Sequence, residues 1–397
     1  MRRTFSGTIV IVAATLLSAA ATTLTPGSLS PPAVMGRLAY MPHTVQKEIS
    51  ANGGQFDLAY LKLPSGEAVK IRFGHPRLGR YLDTPKWSPD GSRILLVGQR
   101  ADAPTRGKQG EAKSIPWVLD LKTNNLQPVA QPSDRDCLSA DWLPDGRRIV
   151  LWTRVGKNLE VAVMTGAGPV LRGGNSRLIV VNLRSKREKT VWRSIYPYRY
   201  VRSPARSEFL IWERDYRLVS ANRRTAWKIK GFGMPDCMEF SPDGRKIAIY
   251  ANYKLHIVDR NTGTRRTIYT KGKGSAHELA WSPDGRWIAF REGWVEGSFD
   301  PPAPDFLWDV LAVDVETRKV HEFPDRVYMQ GKYDYTPTVL GWTKDSKNLA
   351  LSVPEPTGRP HPDAVRQHLV LCPLTGGKGI RVADITSLSD ALVWLPR

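Results

Sequence analysis

Cysteine is scarce in this 397-residue chain: Cys137, Cys237 and Cys372 are all it has. Three are too few for a disulfide framework and too scattered for a zinc site, so buried apolar roles are expected for them. Long hydrophobic runs of helical period are missing beyond the N-terminal segment, which argues against α/β architectures. No Gly-x-Ser-x-Gly elbow occurs, which excludes a serine-hydrolase domain gated by the rest of the chain. No Gly-rich phosphate loop leads from a strand into a helix either. Acidic residues are in deficit, 38 Asp and Glu against 58 Lys and Arg, leaving a formal charge of +20.

What the chain does have is a repeated phrase. Trp-Ser-Pro-Asp-Gly occurs at Trp87 to Gly91 and again at Trp281 to Gly285, with variants at Trp142, Phe240 and Trp342. An apolar residue follows each glycine at a fixed offset: Ile94, Ile149, Ile247 and Ile288. The aromatic ends one strand, Ser-Pro-Asp-Gly makes the turn, and the apolar run begins the next strand. Asp90, Asp145, Asp243 and Asp284 are therefore read as turn chemistry, not catalysts.

A weaker copy lies at Ser203-Pro204, without the aromatic or the Asp-Gly, and a last inner strand at Ala391 to Pro396 ends the chain. Gly36 to Met41 looks like the strand that should follow that last one. Pairing of the two chain ends would leave no sheet edge bare. The expected fold is all-β, a seven-bladed β-propeller of four-stranded blades, closed by pairing of the N- and C-terminal strands over residues 36–397. A monomer is expected.

The Trp-Ser-Pro-Asp-Gly repeats resemble those of the TolB family of periplasmic β-propellers, over essentially everything after residue 35. The resemblance implies a propeller fold. The family's six blades and additional α/β domain do not match the seven units counted here.

Met1-Arg2-Arg3, an apolar stretch from about Ile9 to Ala21 and the small residues Ala19 to Ala21 read as a signal peptide over 1–21, or an uncleaved anchor. Residues 22–35, rich in Pro, Ser and Thr, read as a flexible linker. The protein is thus expected to be exported, periplasmic or extracellular.

With strands running from the axis outwards, long insertions at 43–55, 101–114, 155–176, 293–306 and 354–367 all fall on one face. That face also receives the starts of the inner strands. Four places before each aromatic or its equivalent stand Asp83, Leu138, Tyr198, Asp236, His277, Thr338 and Asp390, with Asp136 close by. Carboxylates and an imidazole converging on a channel mouth suit a divalent cation such as calcium, a cationic ligand group, or a substrate. Each aspartate is also an ordinary strand-start residue.

The opposite face collects basic turns, among them Arg147-Arg148, Arg184, Lys186-Arg187 and Arg245-Lys246. Such a floor would attract anionic polymers or a membrane surface. No aromatic stacking platform accompanies it, so specific nucleic-acid recognition is not expected. The favoured function is a non-catalytic propeller, needing no cofactor, that binds a protein or anionic polymer through its loop-rich face. The alternative is a propeller lyase or hydrolase acting on an anionic saccharide, with a metal or acid/base site at the channel mouth.

Overall fold

The computed structural model describes residues 36–40, 55–63, 67–74, 78–81, 86–100, 114–129, 135–155, 160–165, 168–172, 175–194, 199–213, 215–222, 226–229, 232–296, 305–323, 337–354, 366–386 and 393–394. The expected signal peptide and linker, Asp83 and Asp390 lie outside them. All of the regular structure described is strand, and no helix among these residues is long and apolar enough to cross a membrane.

The strands form a succession of antiparallel sheets, mostly four-stranded, in the manner of a β-propeller. In the first, Glu67–Gly74, Gln55–Leu63 and Gly36–Tyr40 are completed by Val393–Trp394 from the other end of the chain, with Leu38 opposite Trp394. The expected meeting of the termini is present. Later sheets each begin on an inner strand carrying the repeat: Arg135–Trp142 in the third, Arg199–Arg202 in the fourth, Pro235–Phe240 in the fifth, Ser275–Trp281 in the sixth and Thr338–Trp342 in the seventh. The second differs, because Leu78–Tyr81 and Lys86–Trp87 both pair with Arg93–Arg100, dividing its inner strand in two.

Apolar clusters fill the spaces between successive sheets. The second strand of the fifth sheet, Lys246–Ala251, shows why each strand is so apolar: Ile247 and Ile249 enter the core shared with the fourth sheet, while Ala248 and Tyr250 enter the core shared with the sixth. Alternation that would give a half-polar strand in a single-faced sheet here feeds two cores.

The repeat phrase explains itself in the turns. Ser88, Ser241 and Ser282 donate from Oγ to the aspartate two residues on, at 2.5–2.6 Å, and Thr343 does the same to Asp345. The aspartates in turn accept backbone N–H bonds, and the glycines take φ between +61° and +70°. The Ser88 hydroxyl and local amides hold the Asp90 carboxyl below its ordinary range. Their expected structural role is the one they play.

Two of the insertions are more ordered than loops. Residues Glu160–Thr165 and Gly168–Arg172 form a separate hairpin inside 155–176. In the sixth sheet, Trp287–Glu296 and Asp305–Asp314 stay paired to Glu296 opposite Asp305, so both ends of the expected 293–306 loop belong to a lengthened hairpin, and 297–304 lie outside the described residues.

Candidate functional site

Three inner-strand tryptophans staple neighbouring sheets, reaching back from Nε1 to the carbonyl of the residue preceding the previous sheet's aromatic: Trp142 to Lys86 (2.8 Å), Trp281 to Glu239 (3.2 Å) and Trp342 to Ala280 (3.0 Å). The fourth sheet has Arg202 in that slot, paired with Phe209 as Trp142 is with Ile149. Arg202 reaches back too, but to the Asp141 carboxylate, at 3.3 Å from its Nε. Asp141 also faces Lys86 Nζ at 3.8 Å. One carboxylate on the third sheet therefore ties the second and fourth sheets by charge.

The residues just before the aromatics, Lys86, Asp141, Glu239, Ala280 and Gly341, are all half-buried, as expected along the wall of a narrow central channel. On one side that wall is charged. On the other it is bare: a Cβ added at Gly341 would meet nothing within 4 Å. Glu239 stands between these sides. Loss of solvation drives its carboxyl up from the usual 4.5 to about 8, Asp141 adds to the rise and Arg202 opposes it. At neutral pH Glu239 carries a proton, and Lys86, Arg202 and Asp141 sum to one positive charge.

The mouth of the sixth sheet holds a second constellation. His277, Arg291 and Trp308 share one face of the sheet by register, and the Arg291 guanidinium lies 4.4 Å from the Trp308 ring centre. The His277 ring is 5.3 Å from the same indole. Arg291 also pairs with Glu278 at 2.9 Å, while Glu278 accepts the Val339 N–H of the seventh sheet. A bulge between His277 and Ala280 and a φ of +58° at Glu278 aim these groups. Gly293 is required beneath them, because a Cβ there would overlap the Trp308 ring. On the other face of the strand, fully buried Glu292 accepts hydrogen bonds from the hydroxyls of Tyr250 and Tyr269.

The expected ring of acidic strand starts is only partly described. Asp136 accepts the Ser114 N–H at 2.8 Å and pairs with Arg154 at 2.8 Å. Asp236 accepts the Ala276 N–H at 3.3 Å, and His277 rests on Trp308. Asp136 and Asp236 thus fasten neighbouring strands. Among the described residues no three His, Cys, Asp or Glu are grouped to hold a metal ion. Cys137 and Cys372 are buried, Cys237 partly so, and all three are free thiols. Asp141, Arg202, Glu239, Arg291 and Trp308 were not singled out by the repeat; Arg202 in an aromatic slot, with Asp141 one residue before the preceding Trp142, is the signal that points to the first pair.

No protein-family profile matches the chain, and no curated protein matches it in sequence. Solved structures do match in fold. A protein from Bacteroides uniformis provisionally described as a 6-phosphogluconolactonase shares 12% identity at a TM-score of 0.50, over 90% of this chain and 99% of its own. A functionally unknown protein from Desulfotomaculum acetoxidans gives 14%, 0.50, 89% and 100%. An acylaminoacyl peptidase from Pyrococcus horikoshii gives 17% and 0.50 over 83% of this chain but 48% of its own. Together these likenesses establish a propeller-like fold and nothing finer.

Proposed function

We propose that the protein is an exported seven-bladed propeller, resembling the TolB repeats, that works as an enzyme on an anionic saccharide or sugar acid, with Glu239 in the central channel as proton donor. The observation that carries this reading is the pairing of a carboxyl protonated at neutral pH with a carboxylate fixed between two cations. Environments that drive two carboxyls apart are how enzymes obtain an acid at neutral pH. The surplus positive charge from Lys86 and Arg202 draws an acidic substrate, and the bare wall at Ala280 and Gly341 leaves room for it. His277 and Trp308 stand where a sugar ring would enter.

The sugar-acid class agrees with the lactonase description of one structural neighbour, although the fold alone does not carry that activity across. Purified protein incubated with polyuronides and sugar lactones, followed by product analysis, tests the reading. Turnover lost in Glu239→Gln while substrate binding persists supports it. Turnover unchanged in that variant would sink it.

A second reading, recognition without chemistry, is favoured by the separate hairpin of Glu160–Thr165 and Gly168–Arg172, since an ordered insertion on a binding face serves to contact a partner. Its mark would be a captured partner lost on deleting that hairpin, with no turnover of any sugar.

A further inference from the structure

On the turn face, one position is filled by aspartate in three of the sheets, the second, fifth and sixth: the residue opposite the first residue of the second strand. Asp120 faces Arg93, Asp259 faces Lys246 and Asp314 faces Trp287. Each of these carboxylates accepts two backbone N–H bonds from the turn that follows, at 2.8–3.0 Å. In the third sheet the position is Asn182, opposite Arg148. Asn182 Oδ1 makes the same two bonds, to the Arg184 and Ser185 N–H groups at 3.0 and 2.9 Å. Geometry is kept and the negative charge is removed. The turn so capped is the most basic one described, with Arg184, Lys186 and Arg187 all exposed. In the fourth sheet Ser220 takes this position, and Ala205 replaces the aspartate of the Pro-Asp turn beside exposed Arg206.

The contrast with the fifth and sixth sheets is electrostatic. There Lys246 and Arg266 share Glu316 at 3.2 and 2.9 Å, Arg286 pairs with Asp314 at 2.8 Å, and Arg260 pairs with Glu208. On the third sheet's turns Arg148 alone has a carboxylate partner among the described residues, Asp145, and Lys189 is spent on the carbonyls of Ala221 and Asn222. Beside this turn, between the second and third sheets, a cleft of about 230 Å³ is lined by Lys186, Arg93, Asp120, Thr123, Asn125 and Gln127.

We propose that this third-sheet turn and its cleft form a docking surface for an acidic polysaccharide, separate from the channel. Unpaired cations match the acid groups of such a chain, while the threonine hydroxyl and two carboxamides match its hydroxyls. Lipid insertion is disfavoured because the large apolar side chains exposed among the described residues, Leu138, Met234 and Tyr253, lie on strand starts and loops of the opposite face. Nucleic acid is disfavoured because the cleft holds no aromatic ring for base stacking.

Binding of the full chain to polygalacturonate, measured by calorimetry at low and moderate salt, tests the proposal. Three comparators are needed: duplex DNA, vesicles of phosphatidylserine, and a control variant Lys344→Gln/Lys347→Gln on the seventh sheet. Wild type should bind polygalacturonate more tightly than the other two ligands and weaken with salt. Arg184→Gln/Lys186→Gln/Arg187→Gln should lose at least about tenfold, and the control less than about twofold. Asn182→Asp introduces the carboxylate found at this position in the second, fifth and sixth sheets without altering the cap, and should weaken binding by about two- to fivefold. Equal losses in triple variant and control would reduce the effect to net charge and overturn the proposal, as would tighter binding to DNA or vesicles. Polygalacturonate affinity is read in the triple variant and turnover in Glu239→Gln, so the failure of either reading is told apart from the failure of the other.

Discussion

The fourth and sixth sheets occupy the same frame with different chemistry at one slot. In the sixth, Trp281 fills the inner-strand position and ties itself to the fifth by a neutral N–H···O=C bond. In the fourth, Arg202 fills it and ties itself to the third by charge. The frame tolerates the exchange because the staple reaches the same place, the residue before the preceding aromatic. What differs is the channel: a tryptophan adds no charge to its wall, whereas the Arg202–Asp141 pair brings charges of opposite effect beside Glu239, whose carboxyl is raised chiefly by loss of solvation. The tryptophan staples thus hold the regular sheets together, and the degenerate slot adds a cation to a site whose carboxyls, Asp141 and Glu239, stand on the regular third and fifth sheets.

The comparison breaks most severely if the tryptophan slot is emptied. Trp142 is 1% exposed and packs with Leu95, Val97, Ile149 and Leu151. Trp142→Ala should cost about 3–5 kcal/mol in denaturant-induced unfolding, from lost apolar burial, a cavity and the missing bond to Lys86. Arg202→Met should cost clearly less, about 1–3 kcal/mol, because the slot stays filled and Asp141 keeps Lys86. If Arg202→Met proved the more damaging, the ion pair and not the packing would be what holds the third sheet to the fourth.

Glu239 gives a pH test of the same contrast. Its folded pKa, about 8, lies above the ordinary 4.5, so between these values the native state holds a proton that the unfolded chain has released. Stability from this group is fully present below about pH 4.5, falls as pH rises, and is gone above about 8. Glu239→Gln should flatten that loss, making the variant relatively more stable at pH 9 than at pH 5 by on the order of 2–4 kcal/mol. Melting curves at the two pH values measure it. A parallel pH dependence in wild type and variant would place the titration elsewhere.

Much of this frame is visible in the sequence, and the reason is local. A turn built from Ser, Pro, Asp and Gly is specified by residues a few places apart, so Ser88 to Gly91 announces its hairpin without the rest of the chain. The termini pairing of Leu38 with Trp394 is legible by elimination, as one strand without a predecessor and one without a successor. The site is less legible because it depends on contacts between repeats. Asp141, Arg202 and Glu239 are separated by tens of residues and meet only through the stacking of sheets, and the bulge that turns Glu278 toward Arg291 has no mark in the spacing. A fixed offset marks His277 but also Asp236, which like the nearby Asp136 fastens neighbouring strands.

A finer version of the staple comparison removes one bond and little bulk. Trp342→Phe keeps an aromatic ring in the slot, as Phe240 does naturally in the fifth sheet, while losing one ring of the indole and the 3.0 Å donation to the Ala280 carbonyl. The carbonyl is left on the channel side, where water can reach it, so the expected cost is about 1 kcal/mol, the net worth of one hydrogen bond plus a little lost ring area. Denaturant titration of this variant beside Trp142→Ala should therefore show a change several times smaller. Should the two costs approach one another, the sheets would be joined chiefly by the hydrogen bond, and the apolar cores between them would have been credited with too much.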